Sequence, residues 1–115
     1  MDTKEIIKAT DFYSSDIRIG LIIEAKINIK ARKPALILRI DFGEKVGIKT
    51  SSAQLTENYT PESIVGKQVA AVVNFSAMRI AGVKSEVLVL AGICPQNGTI
   101  LLRPDKLINI GSPVS

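Results

Sequence analysis

TPESIVGKQVAAVV, residues Thr60 to Val73, is the stretch on which the fold turns. Its first seven residues read as a compact helix. Thr60 suits the cap, Pro61 the first helical position and Ser63 the third, and Gly66 ends it. Lys67 to Phe75 then reads as a strand. It is apolar on both faces through Val69, Ala70, Ala71, Val72 and Val73, so it belongs inside a sheet.

Upstream, Asp16 to Asn28 alternates with period two. Ile17, Ile19, Leu21, Ile23, Ala25 and Ile27 fall on one face, and Ile22 is the exception on the other. Gly20 within it predicts a bulge or sharp bend. Lys30 to Pro34 is a loop, Ala35 to Phe42 a second strand, Gly43-Glu44-Lys45 a turn and Val46 to Thr50 a third strand, which the chain leaves at Ser51. Downstream, Val87 to Leu90 is a fifth strand, and Asn97-Gly98 is a hairpin turn into Thr99–Arg103. Residues 3–9 read as a short helix capped by Thr3, whose anchors Ile6 and Ile7 need something to pack on. A short helix between strands three and four of an otherwise β chain is the order of an oligonucleotide/oligosaccharide-binding (OB) fold. The expectation is all-β: a five-stranded OB-fold barrel with an N-terminal helix and a C-terminal extension, one domain over residues 1–115. A β-sandwich would want more strands.

The aliphatic content supports such a core: 46% of the 115 residues are hydrophobic, with no Trp. The lone Cys94 excludes an internal disulfide, and the absence of histidine removes both zinc-ligand spacing and a Cys/His pair. Cys94 reads as a buried or turn-side thiol. No phosphate-binding or dinucleotide glycine pattern occurs and the acids are scattered, so no enzyme, cofactor or metal is expected. The N-terminal segment has no signal-like apolar core. The longest uncharged apolar run, Val87 to Ile93, is too short to span a bilayer. A cytoplasmic protein without membrane insertion is expected.

The net charge of +4 favours an anionic partner without naming one. In an OB-fold, ligands meet the strand 2–3 face and the loops joining strands 1–2 and 4–5. The first loop holds Lys30, Arg32 and Lys33, the second Arg79 and Lys84, and Lys49 lies on strand three. No acid occurs from Asn28 to Ile40 or from Gln68 to Ser85. Such cations position a nucleic acid by its phosphates without reading its bases. The few aromatics argue against stacking of single strands and leave recognition of folded RNA by shape. Glu86 is expected to pair with Arg79 or Lys84.

Six segments carry a family resemblance: DIRIGLIIEA (Asp16–Ala25), ARKPAL (Ala31–Leu36), IDFGEKVGIKTSSAQLT (Ile40–Thr56), YTPESIVGKQVAAVVNF (Tyr59–Phe75), RIAGVKSEVLVL (Arg79–Leu90) and LLRPD (Leu101–Asp105). With them the chain resembles the CsaA-type secretion chaperones, a branch of the tRNA-binding-domain family. The resemblance implies a homodimer, with Ile6, Ile7, Leu107, Ile108 and Ile110 at its interface. It implies binding of unfolded or pre-secretory polypeptides and association with the export motor SecA, and, through the wider family, tRNA gripped by shape. One departure stands out. Where tRNA-binding relatives carry S-x-G-M, this chain has Ser85, Glu86, Val87 and Leu88. An acid facing the groove would repel phosphate, which places polypeptide ahead of tRNA.

For a polypeptide, the candidate contacts are Phe75, Met78 and Ile80, with Gln54 and Asn74 offering hydrogen bonds to peptide backbone. Met78 supplies a flexible thioether suited to varied partners. Phe42 and Phe75 fit core packing better. An apolar floor with a basic rim would serve peptide and RNA on one surface.

Overall fold

Thr60 accepts a hydrogen bond from the Ser63 amide at 3.1 Å, and the Ser63 hydroxyl accepts one from the Thr60 amide at 2.9 Å. This reciprocal cap starts the helix that sequence places between the third and fourth strands. The computed structural model describes residues 2–115; Met1, the first residue of the expected 1–115 domain, lies outside the described residues.

The elements are α1 (Ala9–Tyr13), β1 (Ile17–Ile27), β2 (Leu36–Asp41), β3 (Ile48–Ala53), α2 (Pro61–Ile64), β4 (Gln68–Val72), β5 (Met78–Ile80), β6 (Val83–Ser85), β7 (Leu88–Val89), β8 (Ala91–Cys94) and β9 (Gly98–Leu101). Five of them form an antiparallel sheet in the order β3-β2-β1-β4-β7, curled into a nearly closed OB-fold barrel. β5–β6 and β8–β9 are separate hairpins. Among the described residues no helix is long and apolar enough to cross a membrane.

The core follows from alternation. Leu36, Leu38 and Ile40 of β2 point inward and are fully buried, while Arg39 between them is exposed. All five residues of β4 are buried, as its two-sided apolar pattern requires. Phe42, Leu55, Ile64 and Val87 complete the interior. Each such side chain contributes roughly 1.5–3 kcal/mol on burial.

β1 departs from the expected single apolar face. Ile22 is in the main core, whereas Ile17 and Ile19 pack with Ala70, Val72 and Leu90 in a second cluster. The pairing runs Ile22 to Ile40 and then Glu24 to Arg39, so Ile23 is an extra residue. That bulge reverses which side faces inward, and Ala25 rejoins the core beyond it. The bulge is therefore at Ile23 and not at Gly20. Gly20 has a different cause: a Cβ there would lie 2.6 Å from Ile40 Cγ2 and 2.7 Å from the Phe42 ring.

Three further expectations shift. Residues 3–8 form no helix, because Ile6 and Ile7 find nothing to pack on and a short helix does not stand alone. The helical turn comes later, at Ala9–Tyr13, where the Asp11 carboxylate accepts from the Lys8 amide at 3.3 Å. β3 continues through Ser51 to Ala53, since those residues pair with Leu38, Ile37 and Leu36. The fifth strand shortens to Leu88–Val89, and the turn at Asn97-Gly98 joins β8 to β9. The C-terminal segment fastens onto the free edge of β1: the Ile19 amide donates to Ser112 O at 3.0 Å and the Val114 amide to Ile17 O at 2.8 Å. Gln68 clamps the same segment by exchanging two bonds with the Ile108 backbone.

Replacing Gly20 with alanine forces Ile40 and Phe42 to move. Urea unfolding of Gly20→Ala is expected to show a loss of about 1–3 kcal/mol.

Candidate ligand-binding surface

The segment expected as the strand 4–5 loop is itself a hairpin. β5 and β6 pair Met78 with Ser85, Arg79 with Lys84 and Ile80 with Val83. The two turn residues, Ala81 and Gly82, have φ of +47° and +81°. Both positive, they give the twist that a two-residue hairpin needs. Directly opposed residues share a face. Met78, Ile80, Val83 and Ser85 therefore form one side of the hairpin, and Arg79 and Lys84 the other.

The first side covers an open groove of about 450 Å³. Phe75, Met78, Ile80 and Leu88 line it with Ser52, Ser85, Glu86 and Val87. Those four large apolar residues are all exposed. Phe75 is thus a surface residue, against the expectation of core packing, while Phe42 is buried in the core as expected. A second depression, of about 370 Å³, shares Ser52 and Ile80 with the first and continues to Arg32, Lys33 and Gln54. The apolar groove thereby runs into the cationic loop between β1 and β2.

The seam of the barrel lies beneath. The Glu86 amide donates to Thr50 O at 2.8 Å, and its carboxylate accepts from the Thr50 amide at 3.1 Å. Ser51 Oγ donates to Val87 O at 3.0 Å, and the Ser52 amide to Ser85 Oγ at 3.1 Å. Side chains thus complete a seam that backbone pairing leaves open. Glu86 pairs with neither Arg79 nor Lys84; its nearest cation is Lys49 Nζ at 3.9 Å. The same acid both lines the groove and ties the barrel seam.

The expected cations divide. Lys30, Arg32 and Lys33 stand on the β1–β2 loop, with the Lys30 stem beside Gly82 at the hairpin tip. Arg79 and Lys84 sit side by side, exposed, and neither makes an ion pair among the described residues. Lys49 is held near Glu86. Of the polar peptide contacts, Gln54 lines the second depression. Asn74 is engaged elsewhere: its Oδ1 accepts from the Asp16 amide at 2.8 Å and its Nδ2 donates to Ser14 O at 2.9 Å, so it anchors the start of β1. Ile6, Ile7, Leu107 and Ile108 are exposed, and Ile110 is half-buried.

Sequence reading missed Leu88 and Asn28. The alternation Val87-Leu88 marks Leu88 as facing away from the core. An asparagine between an apolar strand and a basic loop signals a side chain that organises the turn.

Barrel, grooves and two-faced hairpin together define an OB-type domain with a candidate ligand surface. The family described as "Putative tRNA binding domain" matches residues 17–113. The methionine–tRNA ligase of Methanococcoides burtonii is 40% identical over 109 residues, 95% of this chain. The chain spans only 16% of that ligase's length. Among solved structures, the chaperone CsaA of Bacillus anthracis superposes with a TM-score of 0.90 at 44% identity. The CsaA chaperone protein of Picrophilus torridus does so at 0.89 and 42%. Both comparisons cover 96% of this chain and all of the other. The chain belongs to the tRNA-binding-domain family and, within it, to the CsaA-type branch.

Removing the Glu86 carboxylate leaves the Thr50 amide without its acceptor. Glu86→Ala is expected to cost about 1–3 kcal/mol in urea unfolding. Lys49→Ala, which removes only a long, half-exposed ion pair, is expected to cost under about 1 kcal/mol.

Proposed function

We propose that the chain is a cytoplasmic, homodimeric, non-enzymatic chaperone-type protein that binds extended segments of unfolded or pre-secretory polypeptides. One observation carries this reading. Phe75, Met78, Ile80 and Leu88, four exposed apolar side chains from two stretches of chain, line one open groove. Solvated apolar side chains gathered in this way mark a binding surface. The neighbouring depression supplies Gln54 for hydrogen bonds and Arg32 and Lys33 for an acidic or carbonyl-rich flank. The similarity to the CsaA chaperones of Bacillus anthracis and Picrophilus torridus supports the same reading. The exposed Ile6, Ile7, Leu107 and Ile108, with Ile110 beside them in sequence, are the proposed dimer contacts. SecA is the proposed partner in export.

A second reading has its own observation. Arg79 and Lys84 stand directly opposite each other on one hairpin face, with no acid paired to them among the described residues. Like charges so placed destabilise a sheet, and a polyanion relieves the repulsion. With Lys30, Arg32 and Lys33 they would contact the backbone of tRNA, the ligand in the matched family's description. The two readings share Arg32 and Lys33 but use opposite faces of the hairpin, so single substitutions on the hairpin separate them.

Met78→Asp is expected to weaken binding of an unfolded client about tenfold and to lower suppression of its aggregation, with the fold and dimer intact by circular dichroism and sedimentation. An unchanged client affinity would remove the groove from the mechanism. Arg79→Glu is expected to leave client binding alone and to weaken all tRNAs alike, with parent affinity falling steeply as salt rises. Binding that ignores salt would end the tRNA reading.

A further inference from the structure

Asn28 directly follows β1 at the start of the β1–β2 loop and is only 5% exposed, an uncommon site for a primary amide. Its backbone closes the β1–β2 loop, with its amide donating to Ala35 O at 2.9 Å and its carbonyl accepting from the Ala31 amide at 3.3 Å. Its Oδ1 accepts from the Lys30 amide at 3.1 Å. These bonds shape the loop that carries Lys30, Arg32 and Lys33.

The Nδ2 group does something more. It crosses to the other loop, 53 residues away in sequence, and donates to Ala81 O at 3.4 Å. It meets no other protein acceptor among the described residues. Ala81 is also the one non-glycine residue with positive φ among them, a conformation that costs alanine roughly 1–2 kcal/mol. The strained turn is held where the amide meets it, and the Lys30 stem lies along Gly82 beside it. A turn organiser would need only Oδ1; the long Nδ2 bond serves the hairpin.

We propose that Asn28 is a positioning residue, a latch that seats the Ala81-Gly82 turn on the β1–β2 loop and makes one ligand surface from two loops. In its ligand the inference rests on the tRNA reading above. A hairpin with three residues per strand is not stable alone. Without the latch it sways about its root, and Arg79 and Lys84 lose their fixed spacing from Lys30, Arg32 and Lys33. That freedom must be removed on binding, which weakens affinity.

Two variants isolate the latch. Asn28→Asp keeps the acceptor for the Lys30 amide but has no donor for Ala81. Asn28→Ala loses both bonds and adds no charge. Amide hydrogen exchange of residues 78–85 is expected to quicken about fivefold or more in both, with barrel amides unchanged. Unfractionated tRNA at low salt is expected to bind about fivefold more weakly to both. Exchange at the parent rate in both variants would overturn the latch. Faster exchange with unchanged tRNA affinity would overturn its role in the ligand surface. If the parent binds no tRNA, the tRNA reading falls, and the exchange measurement still decides whether Asn28 holds the hairpin.

Discussion

Everything in this molecule depends on β1 serving two halves of one barrel. Its first half pairs with β4 and its second with β2, while the C-terminal segment takes the edge that β2 does not reach. A regular strand cannot do this and keep one apolar face inward. The extra residue at Ile23 reverses the inward side partway along, and Gly20 lets Ile40 and Phe42 press against bare backbone just before the reversal. Two hydrophobic clusters result, one inside the barrel and one outside it, both fed by the same strand.

Closure at the far side of the sheet is the second constraint, and the candidate ligand surface is its consequence. β3 and β7 do not pair, so the seam is completed by Ser51, Ser85 and Glu86 bonding to backbone. Because the segment entering β7 is tied there, the chain between β4 and the seam must leave the barrel and return. It does so as the β5–β6 hairpin, which is thrown over the outside of β3. The groove beneath it exists because the return path is anchored at Ser85 while the turn is anchored at Asn28.

The barrel itself was legible in the sequence because its signals are local. Thr60, Pro61 and Gly66 announce α2, the alternation of β2 announces its inner face, and the two-sided apolar run announces β4. Most of the misreadings share one cause: the deciding partner is distant in sequence. Ile23 becomes a bulge only when β2 and β4 are both in place. Ser51 to Ala53 look like the end of a strand until β2 claims them. The N-terminal helix was expected from Thr3, Ile6 and Ile7, but helix propensity without a surface to cover does not hold a short segment. Within the candidate site, placing Asn74 to Leu90 as the strand 4–5 loop marked Arg79, Lys84, Met78 and Ile80 as expected ligand contacts. It did not show that pairing Arg79 with Lys84 would turn them away from Met78 and Ile80. Glu86 misled for a related reason, since its partner amide lies 36 residues upstream.

The hairpin also explains how one small domain can offer two unlike surfaces without compromise. If apolar and cationic residues faced the same groove, each cation would need solvent that the apolar floor excludes, and desolvation would tax both ligands. Period two removes the conflict, because adjacent residues point to opposite sides. Met78 and Ile80 cover the groove while Arg79 between them stays in water. Arg32 and Lys33 approach the apolar groove at its end, where they remain exposed. The arrangement depends on the hairpin keeping its pitch relative to β3, since a rotation about its root would bring Arg79 over the apolar floor. Three residues per strand cannot enforce that pitch by themselves, so it is set by the barrel seam at one end and the β1–β2 loop at the other.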